Sequence, residues 1–573
     1  MDKKRQLLLS IGLVLILVLM IVGISYAAFK FVGLGQKPNT ITTGAITMEY
    51  TESTNTISMT GALPTTDATG KVRLTAGEYF DFTIKSSIQG NANINWEIAA
   101  EDITPSSAKK MDGKNIKLYL TKLDSTGAET QVMAPKVYNA TTSANTKTGR
   151  PLGVMSLATG TMSTSETTNY RLRMYVDEDY NPQGDGGGLS FSVKINAYGK
   201  VKEAPTGSKI KAYMTQDDYD NGNYPKTDFH TADYKSKITS IITKKDNIVP
   251  ATAVESWDIS ETGDGSVMAY VEDDGSGNST YKVTIGGKGG IIANESMMDY
   301  FAEFSRMTSI DLSVIDTSEV TNMFGMFAGC SSLTSLDVRN FDTSNVINMY
   351  YMFSGCIGLT SLDVSNFDTS KTTDMRWMFF RCNRLTSLDL RNFNTSKVTD
   401  MSYMFRFCSS LTNLDVRNFD TSNVTNMRQM FDSCSSLTNL DVSNFDTSQV
   451  TNIVSMFYSC SSLTSLDLRN IDTSKVTDIS QMFYKCSSLT ILDVSSFDTS
   501  KVTTMSSMFE NCSSLTSLDL RNFDTSKVKG MRWMFFECNK LTQITVSNKW
   551  VIGSSTNTVN MFTNCGTDHV TVV

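Results

Sequence analysis

The chain's ten cysteines stand at Cys330, Cys356, Cys382, Cys408, Cys434, Cys460, Cys486, Cys512, Cys538 and Cys565. The first eight steps between them are 26 residues and the last is 27. A fixed step of this size marks a tandem structural repeat in which each unit packs only on its neighbours. Nearly half the protein is therefore expected to be a stack of similar coils, a solenoid, and such stacks mostly serve as binding surfaces.

One unit shows what each coil has to bury. From Cys408, apolar residues fall at Leu411, Leu414 and Val416, then Phe419, Val424, Met427, Met430, Phe431 and Cys434. The spacing of Leu411, Leu414 and Val416 is the L-x-x-L-x-L of a leucine-rich strand. Asp420, Thr421 and Ser422 suit a turn held by side-chain oxygens. Asn426 can cap a short helix, and Met427, Met430, Phe431 and Cys434 follow at i, i+3, i+4 and i+7, one helical face. Each coil is thus expected to be a strand, a turn and a two-turn helix. It would bury about eight apolar side chains, worth roughly 1.5–3 kcal/mol apiece before entropy is subtracted. A single coil has no partner for that surface, so stacking is obligatory.

The cysteines read as interior filler. Phe304 stands 26 residues before Cys330, and Tyr300-Phe301 stands 26 before Met326-Phe327, so a first coil fills the thiol slot with a larger hydrophobe. Equivalent thiols of stacked coils point in parallel, and each has two equal neighbours, which favours free buried thiols over disulfides. One thiol per coil without histidine partners is poor zinc geometry.

Upstream, Lys3, Lys4 and Arg5 precede an apolar run from Leu7 to Ile24, and Ser25-Tyr26-Ala27 offers small residues for cleavage after Ala27. Residues 1–28 are expected to be either a cleaved secretion signal or a retained membrane anchor, and both export the rest. Residues 29–199 read as an antiparallel β-sandwich. Tyr170, Leu172, Met174 and Val176 alternate with polar neighbours, as do Leu189, Phe191, Val193, Ile195 and Ala197, with further strands at Tyr79–Ile84, Asn95–Ile98 and Ile116–Leu120. Residues 200–209 read as a linker. Residues 210–303 read as a small α+β module, with a hairpin of Val267, Ala269 and Val271 against Tyr281, Val283 and Ile285. Gly286 to Gly290 lacks the Lys-Ser/Thr ending of a phosphate loop and is expected to turn the chain into the first coil. The fold class expected overall is multidomain: a β-sandwich, an α+β module, and an α/β leucine-rich-repeat-type solenoid over residues 304–573.

Two resemblances join these readings. Ser25-Tyr26-Ala27-Ala28-Phe29, Thr43-Gly44-Ala45-Ile46-Thr47 and the Tyr170–Val176 strand resemble the camelysin-like family of exported biofilm-matrix proteins. That family has been associated with peptidase activity and with fibres. No His-Glu-x-x-His occurs here, and the only histidines are His230 and His569, so a zinc protease finds no ligands in this region. The repeat Leu-Thr-x-Leu-Asp-Val/Leu-x-Asn-Phe-Asp-Thr-Ser-x-Val-Thr-x-Met-x-x-Met-Phe-x-x-Cys is similar to that of BspA-type leucine-rich-repeat surface proteins. The segments Glu255–Ser260 and Gly263–Tyr270 resemble the module that often precedes those repeats. This resemblance implies a bacterial, or sometimes protist, surface protein that binds host or matrix components.

Net charge is −8 and only 19% of residues are charged, which argues against nucleic-acid binding. On one face, Asp337, Asp363, Asp389, Asp415, Asp441, Asp467, Asp493 and Asp519 form a column, with Arg339, Arg391, Arg417, Arg469 and Arg521 two residues on. The plain expectation is a solvated, charge-balanced ladder; a calcium or ligand face is the sharper alternative. On another face the repeat is broken by Tyr350-Tyr351, Arg376-Trp377 and Tyr403, with Phe380, Arg381, Arg406 and Phe407 one turn on and an echo at Arg532, Trp533 and Phe536. Aromatic and arginine residues are what interfaces and sugar platforms use, so these nine, Tyr350 to Phe407, are the candidate partner-binding residues; the alternative is that the rings pack on a neighbouring domain. Asp177, Asp179, Asn181 and Asp185 faintly resemble a calcium loop, though Pro182 replaces the required Gly. No catalytic triad, phosphate loop or metal cluster is evident, so no enzyme activity, metal or cofactor is expected. The expected partner is a protein or glycan of a host or matrix, with membrane contact only through an uncleaved N-terminus. A structural matrix or fibre subunit assembled through the β domain is the alternative function.

Overall fold

The computed structural model describes residues 28–32, 39–43, 46–52, 57–60, 64–72, 79–88, 93–140, 145, 148–162, 164–178, 180, 189–202, 207–223 and 228–573. The chain divides into two compact units, Met1–Ala204 and Pro205–Val573. The signal or anchor expected over 1–28 lies outside the described residues except for Ala28. Among the described residues, no helix is long and apolar enough to cross a membrane.

Period-two alternation builds the first unit. One sheet orders the strands Ala28–Val32, Ser190–Lys202, Asn93–Asp102 and Met155–Met162, with Ile57–Thr60 also paired to Ser190–Lys202. The other orders Asn39–Thr43, Ile46–Glu52, Tyr79–Ile88, Glu166–Asp177, Ile116–Leu123 and Glu129–Val137. Both are antiparallel apart from Pro64–Thr65, which runs parallel to the end of Glu166–Asp177. Phe80, Phe82, Ile84, Leu118, Leu172 and Met174 of the second sheet share one core with Ile98, Phe191, Val193 and Ile195 of the first. Polar partners occupy the outward positions: Arg171 clamps Asp81 at 2.7 and 2.8 Å, and Arg173 holds both oxygens of Glu129 at 2.6 and 2.7 Å. Of the calcium-like loop, Asp177 pairs with Lys117, and Asp179, Asn181 and Asp185 lie outside the described residues.

The second unit corrects the expected fold class. The α+β and α/β assignments do not hold, because helix is confined to the short pieces Gln216–Asp220 and Ala232–Lys235. Residues 238–311 form a five-stranded sheet in which the hairpin Val267–Asp273/Tyr281–Gly287 is antiparallel and Ile238–Lys244 adds in parallel. Beyond it the chain runs as helix-free coils. Even the expected leucine-rich strand is hydrogen-bonded as a strand only toward the ends, at Ser309–Asp311 and at Ser517–Leu520, Gln543–Val546 and Thr571–Val572.

The reason is visible in the backbone of the segment taken for a helix. In Met349–Cys356, the N–H groups of Met352, Ser354 and Cys356 close local turns on the carbonyls of Met349, Tyr351 and Phe353. The N–H groups of Met349, Tyr351, Phe353 and Gly355 reach instead to the carbonyls of Asp374, Arg376, Met378 and Phe380 in the next coil, at 2.7–3.1 Å. Tyr351 and Gly355 have φ of 62° and 71°. A left-handed residue every fourth position is incompatible with an α-helix. The side-chain spacing that reads as one helical face is met by successive turns that point the same residues inward.

Coils are also tied by side chains. Each Asp-Thr-Ser turn sets its Ser N–H on the Asp carboxylate, as Ser422 does on Asp420 at 3.1 Å. Its Thr is buried and bridges to the next coil. Thr447 Oγ1 accepts the Asp472 N–H at 2.7 Å and donates to the Asp472 carbonyl at 3.0 Å. Phe301, Phe327, Phe353 and their successors to Phe562 stack 5.5–5.9 Å apart along the interior. Cys330 to Cys538 are free and buried; Cys565 is half-exposed. Each of the nine buried thiols donates to a phenylalanine carbonyl of the preceding coil, as Cys356 does to Phe327 at 3.1 Å. Burial pushes the Cys330, Cys486 and Cys538 thiols up to about 12.

Three outcomes follow from this packing. Thr447→Val strands the Asp472 N–H and should cost about 1–3 kcal/mol in urea unfolding. Ser459, at φ 53°, occupies the phase of Gly355. A left-handed L-residue costs roughly 1–2 kcal/mol, and glycine's extra unfolded entropy returns roughly 0.5–1 kcal/mol of that. Ser459→Gly should therefore raise the urea midpoint, by about 0.5–1 kcal/mol of stability. In native protein at pH 7.5, iodoacetamide should label Cys565 first and leave the other nine thiols unmodified until the chain is unfolded, read by peptide mass mapping.

Candidate functional site

The outer face of the turn segments carries the aromatic residues because of the coil's own geometry. In each coil the residue before the second Met is left-handed, and this is the position of Tyr351, Trp377 and Tyr403, with φ of 62°, 59° and 63°. For Tyr351, Trp377 and Tyr403 the side chain is half-buried at a constant phase, and the rings of successive coils meet. One coil earlier the position is Gly325, where a Cβ would lie 1.9 Å from Asp299 Oδ1, so an aromatic there would have to displace the Asp299 carboxylate.

Tyr351 and Trp377 lie 5.3 Å apart and Trp377 and Tyr403 3.9 Å, all within 18° of parallel. Tyr350 meets Tyr351 edge-on at 4.5 Å, and Phe380 meets Trp377 edge-on at 4.5 Å and Phe407 at 5.8 Å. The structure therefore brings the six expected aromatics into one half-buried cluster. The arginines lie over its rings: Arg376 over Tyr350 at 4.8 Å, Arg406 over Phe407 at 4.6 Å, and Arg381 over Phe380 and Phe407 at 5.6 and 5.7 Å. Burial holds the Tyr350 and Tyr351 hydroxyls above the usual phenol range.

The charges differ in how far they are satisfied. Arg376 is chelated by Asp374 at 2.9 and 2.5 Å, and Arg406 donates to the buried Asp432 at 2.7 Å. Arg381 is exposed and makes no ion pair among the described residues.

Three members escape the sequence reading. Phe324 packs on Tyr350 at 5.0 Å and Tyr351 at 6.4 Å, and Tyr219 of the preceding module meets Phe324 edge-on at 5.0 Å. Arg428 donates to the Tyr403 hydroxyl at 2.9 Å. Phe324 stands 26 residues before Tyr350, so its phase announces it; Tyr219 lies outside the repeat and has no such signal. The echo at Arg532 and Trp533 is a separate cation–π pair at 4.8 Å.

The Asp column on the other face is internally satisfied. Arg339, Arg391, Arg417, Arg469 and Arg521 each grip the aspartate two residues before them, and Ser365 and Ser443 donate to Asp363 and Asp441. Hydrogen bonds from Arg339 hold the Asp337 carboxyl below its ordinary range. Among the described residues, no group of three or more His, Cys, Asp or Glu side chains could hold a metal ion.

No curated protein and no solved structure matches the chain. A family described as "Mycoplasma protein of unknown function, DUF285" matches three tandem stretches, residues 295–388, 373–468 and 462–571. Those stretches run through the coils and their first overlap falls on the aromatic cluster. The C-terminal region of this chain is built of repeats of the DUF285 kind.

Proposed function

We propose that the protein is an exported interaction or adhesion protein of the BspA-type surface class, which captures a partner on the aromatic–arginine column of coils 324–407. The observation that carries this reading is the column itself. Phe324, Tyr350, Tyr351, Trp377, Phe380, Tyr403 and Phe407 form a continuous half-buried patch, while the phase of Tyr351, Trp377 and Tyr403 goes on as Gln429, Ser455, Gln481 and Ser507 before Trp533. The coil does not require aromatics there, since the polar residues adopt the same left-handed backbone. Their concentration in adjacent coils answers a need outside the fold, and clustered Tyr, Trp and Arg are the commonest interface anchors.

Binding, not catalysis, is the role we assign. The nucleophiles the chain has in number, its thiols, are nine-tenths interior and held protonated by burial, which removes them from thiolate chemistry. Export rests on the N-terminal basic-apolar segment and the cell surface on the likeness of the repeats to BspA-type proteins.

A glycan and matrix-protein array probed with the full chain tests this. Partner signal should fall at least about tenfold in the triple variant Tyr351→Ser, Trp377→Ser, Tyr403→Ser, as loss of a hot-spot cluster does. The thiol-protection pattern serves as the check that the coils remain stacked. A folded triple variant that binds undiminished would refute the assignment.

A further inference from the structure

The stacking that makes the column visible also restricts what it can hold. A neutral sugar binds aromatics by laying its C–H face on an open ring face. Trp377 has none: Tyr351 covers one side at 5.3 Å and Tyr403 the other at 3.9 Å. The outer side of Tyr351 faces Phe324 at 6.4 Å, nearly parallel, and Arg406 lies over Tyr403 at 5.6 Å. What remains outward are ring edges, which carry the positive end of the aromatic quadrupole. Edges and guanidinium groups together make a surface for negative charge.

Arg381 gives that surface its centre. Its backbone is pinned, with φ 57° and its N–H on the Arg406 carbonyl at 2.8 Å. Its guanidinium lies over Phe380 and Phe407 at 5.6 and 5.7 Å, and the residue is exposed to solvent. Asp374 neutralises Arg376 and Asp432 neutralises Arg406; Arg381 and Arg428 make no ion pair among the described residues, but Arg428 is half-buried with its Nε on the Tyr403 hydroxyl at 2.9 Å, so Arg381 is the exposed charge of the cluster without a carboxylate. An exposed guanidinium without a carboxylate partner can take a bidentate carboxylate. On a chain of net charge −8, such a local positive site is a selective feature, since the molecule as a whole repels polyanions.

We propose that the column docks an acidic polypeptide segment, with a partner carboxylate on the Arg381 fork and aliphatic side chains against the ring edges of Tyr351, Trp377 and Phe407. Polypeptide is favoured because its acidic side chain brings a single carboxylate to the Arg381 guanidinium and its aliphatic neighbours need only ring edges, whereas a sugar ring finds no open aromatic face to lie on. This inference rests on the partner-binding role proposed above and names the chemistry of its ligand.

The test uses the full chain and three labelled probes at low ionic strength: poly-L-glutamate, maltoheptaose and heparin. Poly-L-glutamate should bind saturably and weaken with salt. Arg381→Gln should reduce its affinity about tenfold, and Arg381→Lys should recover only part of the loss, because an ammonium lacks the fork. Arg339→Gln, on the opposite charge-balanced face, should leave it unchanged. Equal effects of Arg381→Gln and Arg339→Gln, or no poly-L-glutamate binding, would overturn the proposal. Arg381-dependent binding of heparin in preference to poly-L-glutamate overturns the polypeptide assignment. Maltoheptaose binding lost in the Tyr351/Trp377/Tyr403 triple variant overturns the acidic ligand while leaving a binding column in place. An array partner that ignores the triple variant refutes the column itself.

Discussion

Backbone hydrogen bonds between one coil and the next fix almost everything else in the C-terminal unit. In the turn segment they all run one way: N–H groups of each coil point to carbonyls of the coil after it, from Met297 on Asn322 to Glu537 on Thr563. The peptide groups are thus aligned in four parallel columns. The alignment fixes the spacing within the turn segment, and the one extra residue of the last coil falls outside it, since Met531, Trp533, Phe535 and Glu537 still reach the carbonyls of Asn557, Val559, Met561 and Thr563. It also forces left-handed φ at two positions per coil, since only then can alternate N–H groups serve the neighbour while the others close turns. The buried Thr bridges, the thiol donors and the phenylalanine stack are consequences of that register, not alternatives to it.

Much of this was legible in the sequence, and the part that was not has a definite cause. The cysteine spacing gives the period, the buried set and the first coil, where Phe304 fills the thiol slot. The helical expectation fails because Met427, Met430, Phe431 and Cys434 satisfy helical spacing while the backbone between them is a run of turns. Pattern alone records which residues face inward, not how the chain turns between them. The missing signal was glycine. Gly325, Gly329 and Gly355 mark the left-handed positions in two coils, but Tyr, Trp, Gln, Ser, Lys and Asn take those places later and hide it. Non-glycine residues tolerate the strain because neighbouring coils over-determine the backbone.

The same substitutions explain why the candidate site stands where it does. A position with a fixed backbone and a side chain that projects outward can change its chemistry without disturbing the stack. The phases of Tyr350, Tyr351, Phe380 and Arg381 vary from coil to coil, and in coils 324–407 they carry rings and guanidinium groups. The column's residues were found from their phase; their mutual stacking, and the neutralisation of Arg376 and Arg406 but not Arg381, required distances. Sequence reading could not separate a sugar platform from an edge-on surface, because both use the same residue types. The separation depends on the 3.9 Å between Trp377 and Tyr403.

Aligned peptide columns leave a problem at their origin. The carbonyls of Met298, Tyr300 and Ala302 point back from the first coil, where no earlier coil exists to donate to them. The preceding module meets part of this demand. His230, one of only two histidines, is buried with Nε2 2.9 Å from the Tyr300 carbonyl and Nδ1 2.7 Å from Asp228. Both neighbours accept, so one ring proton serves the carbonyl or the carboxylate, and the two contacts are made together only when both ring nitrogens carry protons. Tyr213 stacks on the imidazole at 4.2 Å and Phe304 closes the pocket beneath. The module and coils share one apolar core for this reason. The module thus faces the Tyr300 carbonyl with a ring nitrogen where no earlier coil stands, and the start of the coil stack rests on a segment outside the repeat.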